Sequence, residues 1–496
     1  MRFFIVWDSI KMNILIVGNG FDLSHYLPTK YDHFMDVMEA IENKELGKPL
    51  NDLVTSHFEN VGDLIVKFLQ LKKAINPQTY EMNFDELFSQ CRDRDFITKT
   101  KQIYVTDNIK LSFEKIIEIK FLLKNNPWYQ YFKNHVKEVK TWIDFEQKIE
   151  EVILSTSQCC SDILNIHDNS KIYYYFENSK DEELKISKKN LNILNFFEFV
   201  KPERYETTRM RPIAGYGSDT SLSKSYSDRL NINPEYCYGG KIINGFNPLL
   251  FLDKLHSQLE EFIEIFNLYL KLIISNLQTT SKFLIQSEDW VSPDKIYSFN
   301  YTNTFQRLYD NIPIDYLHGS YGEEQNIVLG VSELEDESLK KLKVYGFTKY
   351  HQKLFKDTDY LFLDEYKRKV EENLYLLKAH EATEYDTAHS KQKNRERWVK
   401  KGLLDLNIVI WGHSLDYSDK EYIIDLFSLN DEIDRNIRVV VYYFDKSAKF
   451  SLLNNLLAIL DKDKVEQWMK NGWLKFQKNP EIQFQVNDQQ ELDEVS

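Results

Sequence analysis

The clearest pattern along the chain is a set of short apolar runs, each closed by glycine or polar residues. The first run, at 13–17, is followed by Gly18-Asn19-Gly20, which is typical of a strand, a tight turn and a helix start. Similar runs return after Lys295, at 296–299, 314–317, 327–331, 408–411 and 439–444. Helical segments separate most of them, and this alternation predicts an α/β fold with a parallel sheet.

Between the first run and the later ones, apolar residues recur with helical spacing. Amphipathic stretches lie near 31–44, 51–73, 110–122, 142–156 and 252–273. We therefore predict a large, mostly α-helical insertion at 31–289 and a second helical excursion at 335–404. Scarce glycine and proline concentrate at 200–248, which predicts a loop or lid.

These patterns divide the chain into three predicted parts. Residues 12–30 and 290–480 form a discontinuous α/β domain, and residues 31–289 form the insertion. Residues 481–496 form an acidic tail with five acidic residues and no basic one, which we expect to fray.

Composition narrows the class of protein. With 16 glycines and 11 prolines in 496 residues, collagen-like and turn-rich sandwich architectures are excluded, and a largely helical chain is expected. The net charge of -14 argues against nucleic acid as the main partner. We expect the local basic run at 391–401 to form an exposed helix face.

The cysteines and the lengths of the apolar runs indicate in which cellular compartment to expect the protein. Cys91, Cys159, Cys160 and Cys237 form no C-x-x-C pair, so we expect free buried thiols and predict no metal site. The apolar run at the N-terminus ends at Asp8, which is too short for a signal peptide. No stretch of about 18 uncharged apolar residues exists. These features predict a cytoplasmic protein without a membrane span.

Polar segments, three of which contain glycine, follow four of the predicted strands. They are Gly18-Asn19-Gly20-Phe21-Asp22-Leu23, Ser298-Phe299-Asn300-Tyr301-Thr302, Leu317-His318-Gly319-Ser320 and Gly412-His413-Ser414-Leu415-Asp416-Tyr417-Ser418-Asp419. In open α/β sheets, ligands bind beyond the carboxyl ends of the strands, so these segments predict a pocket. Each also has a plain interpretation as a turn, a helix cap or a histidine satisfied by its neighbours.

The residue types in these segments suit nucleotide chemistry. Glycines let backbone N–H groups approach a phosphate at a helix N-terminus, although Leu23 stands where a full dinucleotide fingerprint has its third glycine. The Asn300 amide could orient a water or a ribose hydroxyl, and His318 could act as a general base.

Together these segments, with Leu27-Pro28-Thr29, resemble the AbiH family of bacteriophage abortive-infection proteins. More distantly the series is similar to the sirtuin fold, in which a glycine loop, an asparagine, a histidine-glycine pair and a late glycine-x-serine surround NAD. That resemblance implies a sirtuin-like (Rossmann-like) parallel sheet. The chain has Thr302 where sirtuins have aspartate, and it lacks their zinc-binding cysteines, which accompany peptide deacetylation but are not needed to cleave NAD.

The resemblance assigns roles to individual residues. Asn300 and His318 would be catalytic. The nucleotide would be bound by Gly18, Asn19, Gly20, Phe21, Asp22, Thr302, Gly319, Gly412, Ser414 and Asp419, with Gly18 to Gly20 at the pyrophosphate and Gly412 and Ser414 at the adenosine.

The leading hypothesis is an antiphage NAD glycohydrolase that hydrolyses the nicotinamide N-glycosidic bond of NAD or a related nucleotide. One alternative is a nucleotide-binding switch without turnover, and another is a nuclease or nucleic-acid-binding toxin that acts through 391–401. Expected partners are a phage-derived trigger or a second defence protein, together with further copies of the chain in a homo-oligomer.

Overall fold

A computed structural model describes residues 11–47, 50, 52, 61–72, 76–135, 142–180, 183–212, 220–280, 282–287, 290–334, 337–358, 361–383 and 387–484. The chain forms two compact units. The first takes in Met1–Phe121, Phe266–Val328 and Gln352–Ser496, and the second takes in Leu122–Ile265 and Leu329–His351. The described residues of 31–121 and 266–289, which the sequence assigned to the insertion, therefore group with the sheet.

The described strands are β1 (Met12–Val17), β2 (Met82–Asn83), β3 (Lys110–Leu111), β4 (Val200–Pro212), β5 (Thr220–Ile232), β6 (Leu284–Gln286), β7 (Lys295–Ser298), β8 (Ile314–Tyr316), β9 (Leu406–Trp411), β10 (Ile437–Tyr443), β11 (Leu474–Lys478) and β12 (Glu481–Gln483).

The described α-helices are α1 (Asn19–Ser24), α2 (Tyr31–Asn43), α3 (Val61–Lys72), α4 (Phe84–Leu87), α5 (Arg94–Ile103), α6 (Phe113–Asn125), α7 (Pro127–Asn134), α8 (Trp142–Leu164), α9 (Ile172–Glu177), α10 (Lys188–Phe196), α11 (Pro248–Leu272), α12 (Thr304–Leu308), α13 (Glu337–Lys341), α14 (Lys349–Phe355), α15 (Asp364–Glu381), α16 (Ala388–Lys401), α17 (Lys420–Ser428) and α18 (Lys446–Lys470).

A six-stranded parallel sheet forms the centre of the first unit. Its strand order is β11-β10-β9-β1-β7-β8, and β1 pairs with β9 on one side and β7 on the other. In β1 the side chains from Ile14 to Val17 are buried without alternation. Burial on both faces explains why this strand is a continuous apolar run.

Helices α17 and α18 supply apolar cover for this sheet. Phe427 of α17 and Trp468 of α18 have ring centroids 4.7 Å apart, and both join the core that contains Ile408 and Val441. These two helices, which follow β9 and β10 along the chain, therefore cover the sheet, as helices in crossover connections do.

The predicted parallel strands are confirmed in β1, β7, β8, β9 and β10. The strand predicted at 327–331 is wrong, because Val328 donates its backbone N–H to the His318 carbonyl and Val331 makes an isolated bridge to Thr348. The sequence missed β11, whose five residues include only two apolar ones. The helix predicted at 51–73 is described at Val61–Lys72, and residues 51, 53–60 and 73 lie outside the described residues.

The second unit has an aromatic core and a long hairpin. The Phe145 ring lies 3.8 Å from Phe132 and 5.2 Å from Phe262, measured between ring centroids. Strands β4 and β5 pair from Val200–Ile232 to Pro212–Thr220, where the sequence predicted a loop or lid at 200–248. The strands are stabilised by backbone pairing and are rich in polar residues, so they lack the apolar runs that reveal a buried strand.

The first part of the acidic tail is also ordered by backbone pairing. Strand β12 pairs antiparallel with β6, so Glu481–Gln483 does not fray, and residues 485–496 lie outside the described residues. All four cysteines are buried free thiols, as predicted. Within the described ranges, each helix is too short or too polar to cross a lipid bilayer.

Candidate functional site

The four predicted segments meet at the carboxyl edge of the parallel sheet. They follow β1, β7, β8 and β9, the four strands at one side and the centre of the sheet. The chain leaves β1 for β7 on one side and returns to β9 on the other, so the strand order reverses at β1. In open α/β sheets this switch point is where a crevice for a ligand forms.

Three glycines bring the loop after β1 against the loop after β9. A Cβ atom on Gly18 would lie 2.5 Å from the His413 Cα, and one on Gly20 would lie 2.8 Å from the Gly412 Cα. Gly412 has a φ of +74°, and its Cβ would lie 2.0 Å from the Phe21 nitrogen. These positions require glycine because the two backbones are in direct contact.

The same contact engages the backbone amides of the loop. Gly18 donates its N–H to the Trp411 carbonyl at 3.1 Å, and Gly20 donates to the Gly412 carbonyl at 2.8 Å. Phe21 donates to the Gly18 carbonyl at 2.8 Å. Because these N–H groups already donate to backbone carbonyls, the Gly18 and Gly20 amides do not fit the predicted pyrophosphate contact in this conformation.

Asn300 and Thr302, after β7, bond to the segment after β1. Asn300 Nδ2 donates to the Gly18 carbonyl at 2.9 Å, and the Thr302 hydroxyl donates to Asp22 Oδ2 at 2.6 Å. All three side chains are buried. Burial raises the pKa of Asp22 to about 6, against the lowering effect of the Thr302 hydrogen bond.

Phe21 points into an aromatic core. Its ring contacts Trp411 edge-on at 5.0 Å and His25 at 4.4 Å. His25 Nδ1 lies 2.6 Å from the Phe21 carbonyl, which can only accept, so Nδ1 is the donor and Nε2 accepts from the Tyr309 hydroxyl at 2.6 Å. Burial lowers the pKa of His25 to about 4. Phe21 therefore packs in the interior, which does not match its predicted contact with a nucleotide.

Three further predicted residues have local roles. Asn19 Oδ1 accepts from the Thr29 hydroxyl at 2.7 Å. Gly319 has a φ of +77° in a turn where a Cβ would lie 2.0 Å from the Asn326 carbonyl oxygen. Ser414 is exposed, and its carbonyl accepts from Asn455 Nδ2 at 2.9 Å.

A carboxylate between two imidazoles lies on the β8 and β9 side of this edge. His318 Nε2 lies 3.2 Å from Asp419 Oδ1, and His413 Nε2 lies 3.3 Å from Asp419 Oδ2. The three residues are between 6% and 8% exposed. When one of the imidazoles is protonated, its pair with a carboxylate this shielded from water is stronger than a surface pair.

One hydrogen bond of His413 defines the tautomer of its neutral ring. The Leu415 backbone N–H donates to His413 Nδ1 at 3.0 Å, so Nδ1 is an acceptor and a neutral ring carries its proton on Nε2. A histidine that binds a metal through Nε2 needs the opposite tautomer. Among the described residues, no group of three or more His, Cys, Asp or Glu side chains is arranged to hold a metal ion.

Aromatic rings pack against the two histidines. The Phe299 ring centroid lies 4.0 Å from that of His413 and 5.2 Å from that of His318. Tyr422 contacts Phe299 edge-on at 5.2 Å, and Lys353 Nζ lies 2.5 Å from the Tyr422 hydroxyl. These contacts exclude water from one side of the imidazole pair.

The edge thus collects the predicted residues but gives them different environments. His318 and Asp419 contact each other, and Asn300 joins them through Gly18, which packs on His413. Sequence reasoning missed His413, although its place directly after a strand and a glycine was a usable signal. It also missed Tyr422 and Lys353, for which the sequence gave no signal.

Comparison with known proteins identifies the family. The family model for bacteriophage abortive infection AbiH matches residues 14–214 and 249–443, which together cover most of the chain. No curated protein and no solved structure matches, so the likeness to sirtuins rests on the strand-end motifs alone. The chain belongs to the AbiH family of bacteriophage abortive-infection proteins.

Proposed function

We propose that this AbiH protein acts in antiphage defence by hydrolysing the nicotinamide N-glycosidic bond of NAD or a related nucleotide. The observation that carries the proposal is the buried Asp419 carboxylate between His318 and His413 at the carboxyl edge of the sheet. The strand order supports it, since it equals the 3-2-1-4-5-6 order of Rossmann-like dinucleotide-binding sheets when the six strands are numbered along the chain.

The reaction needs a base and no acid. Water attacks C1 of the nicotinamide ribose, and the N-glycosidic bond breaks with its electron pair passing to the pyridine nitrogen. Nicotinamide leaves as a neutral molecule, because that nitrogen was positively charged in NAD. His318 takes the proton from water at Nδ1, the ring nitrogen away from Asp419, and the products are ADP-ribose and a protonated imidazole that later returns its proton to solvent.

Asp419 stabilises the imidazolium that forms on His318. The carboxylate lies 3.2 Å from His318 Nε2 and is already buried, so little reorganisation accompanies the charge change. Asn300 keeps its proposed role of orienting the attacking oxygen. Its Nδ2 donates to the Gly18 carbonyl, and this hydrogen bond fixes the orientation of the amide group.

The test is release of free nicotinamide from NAD by purified protein. We expect His318→Ala to lower the release rate by about 100-fold or more, as for loss of a general base. The control is His389→Ala, which changes an exposed histidine on α16 and should leave the rate unchanged. Equal rates in wild type and His318→Ala would contradict the site assignment.

The cellular test follows NAD during infection. Cells that carry the wild-type chain should lose NAD after phage challenge, whereas cells with His318→Ala should keep it and show no growth arrest. Arrest with constant NAD would exclude cofactor depletion as the cause. Cytoplasmic location, a phage-derived trigger, a second defence protein and homo-oligomer assembly are part of this proposal.

The second candidate is a nucleotide-binding switch without turnover. Two observations favour it: the Gly18 and Gly20 amides are engaged in the fold, and Thr302 bonds to Asp22. In this case a nucleotide would bind only after the loops after β1 and β9 separate. NAD binding by calorimetry with no nicotinamide release, with or without infected-cell extract, would support the switch over the hydrolase.

A further inference from the structure

His413 contacts the carboxylate oxygen of Asp419 that does not face His318. From this contact we infer that His413 is a positioning residue: its Nε2, 3.3 Å from Asp419 Oδ2, holds the carboxylate so that Oδ1 faces His318. This assignment rests on the proposed function, because it treats His318 as the residue that moves the proton.

The loop after β9 holds His413 in one orientation. Leu415 adopts a φ of +54°, unusual for a residue with a side chain, and this turn aims its N–H at His413 Nδ1 at 3.0 Å. The Phe299 ring packs on the imidazole, and Gly18 packs on the backbone of His413. The ring is therefore fixed both in direction and in tautomer.

The consequence for Asp419 follows from geometry. A carboxylate with one anchored oxygen can still rotate about its Cβ–Cγ bond, whereas contacts on both oxygens hold the plane of the group. Partners of this kind, which orient a catalytic group from behind, commonly affect activity by about 10-fold to 100-fold. His413 touches neither substrate nor reacting atoms in this arrangement, and it acts through Asp419.

The tautomer can be measured without turnover. Protein with ring-15N histidine on a deuterated background would report protonated and bare ring nitrogens for the 11 histidines. The His413 signals are those absent from the spectrum of His413→Gln. We expect a proton on Nε2 and a bare Nδ1. A proton on Nδ1, with Nε2 bare or bound to a metal, would overturn the inference even if the protein releases nicotinamide.

Kinetics separate a positioning role from a merely structural one. We expect His413→Ala to lower kcat for nicotinamide release by about 10-fold or more, with KM for NAD changed by less than about 3-fold. His413→Gln keeps an N–H donor at the Nε2 position and should recover most of the loss. Equal losses in the two variants, or no loss in His413→Ala, would overturn the assignment.

A matched control is His380→Gln. His380 is another buried histidine of the same unit, and its Nε2 lies 3.1 Å from the Lys391 carbonyl, away from the sheet edge. It should lower the melting temperature to a similar degree as His413→Gln while kcat stays unchanged. If the wild type releases no nicotinamide, the proposed function fails, and the NMR result alone decides the role of His413.

Discussion

The two halves of the sheet edge place different partners around their buried carboxylates. On the β1 and β7 side, Asp22 bonds to a neutral hydroxyl of Thr302, and burial raises its pKa to about 6. On the β8 and β9 side, Asp419 has an imidazole at each oxygen. The first half joins two loops through hydrogen bonds, whereas the second places a negative charge beside groups that can become positive.

This difference separates residues that hold the edge together from residues that can react. A polar side chain with a satisfied neutral partner in the interior contributes to stability and specificity of the fold. A carboxylate next to an imidazole prepares that ring to accept a proton. Motif residues that look alike in the sequence therefore have different partners within one edge.

The largest expected effect is on the reactive half. Asp419→Asn keeps the size of the side chain but removes the charge, and one oxygen becomes an N–H donor that faces an imidazole nitrogen. We expect nicotinamide release to fall by about 100-fold to 10,000-fold, comparable to neutralising the carboxylate of a catalytic triad. Steady-state kinetics with NAD measure it.

The control for this variant is Asp425→Asn. Asp425 lies in α17, close in sequence to Asp419, and its carboxylate pairs with Lys367 at 2.8 Å. It should retain the wild-type rate. Full activity in Asp419→Asn would mean that the two halves of the edge do not differ in chemistry.

The next effect is on the contact between the β1 and β9 loops. Gly412→Ala places a Cβ within 2.0 Å of the Phe21 nitrogen at a φ of +74°. Backbone strain and overpacking together should lower the free energy of unfolding by about 2 to 4 kcal/mol. Urea denaturation followed by tryptophan fluorescence measures this loss.

Gly472→Ala separates the two causes of that loss. Gly472 has a similar φ of +68°, but no atom lies within 4 Å of its Cβ position. We expect a loss of about 1 kcal/mol from backbone strain alone. Equal losses at the two glycines would show that the loop contact after β1 adds nothing.

The smallest effect is a pH dependence that belongs to the structural half. Folding raises the pKa of Asp22 from its ordinary 3.8 to about 6, so the folded state binds more protons between these pH values. The free energy of unfolding therefore falls as pH rises through this window and is level above it. Between pH 5 and pH 7.5 the change amounts to about 1 kcal/mol.

Asp22→Asn should remove this part of the pH dependence, because an amide does not titrate. The fold should be retained, since the amide oxygen can still accept the Thr302 hydroxyl. Urea midpoints at pH 5 and pH 7.5 give the measurement, and Asp310→Asn, at an exposed carboxylate, should keep the wild-type slope. Parallel profiles for wild type and Asp22→Asn would mean that Asp22 is charged in the folded state at both pH values.

Sequence patterns predicted the central strands of the sheet well because most of their side chains are buried. The runs that became β1 and β9 contain almost nothing but apolar residues. Strands β4 and β5 were not predicted from the sequence, because antiparallel pairing of backbone groups needs no apolar run. The register that joins Val200 to Ile232 is not visible in composition.

For the site, the sequence predicted the place but not the partners. His318 and Asp419 were named for separate roles, and their contact depends on how β8 and α17 are arranged in space. The protonation of His413 depends on one amide, that of Leu415, whose left-handed turn no local residue type predicts. The engaged amides of Gly18 and Gly20 likewise depend on a loop almost 400 residues further along the chain.

The central position of β1 has a consequence for protein synthesis. β1 is made before β9, and Asn13 accepts a hydrogen bond from Asn407, 394 residues later, while the residues of the proposed site extend to Asp419. At a synthesis rate of about 5 to 20 residues per second, roughly 20 to 80 seconds pass between the synthesis of β1 and that of β9. A nascent chain therefore lacks the proposed site until Asp419 has been made.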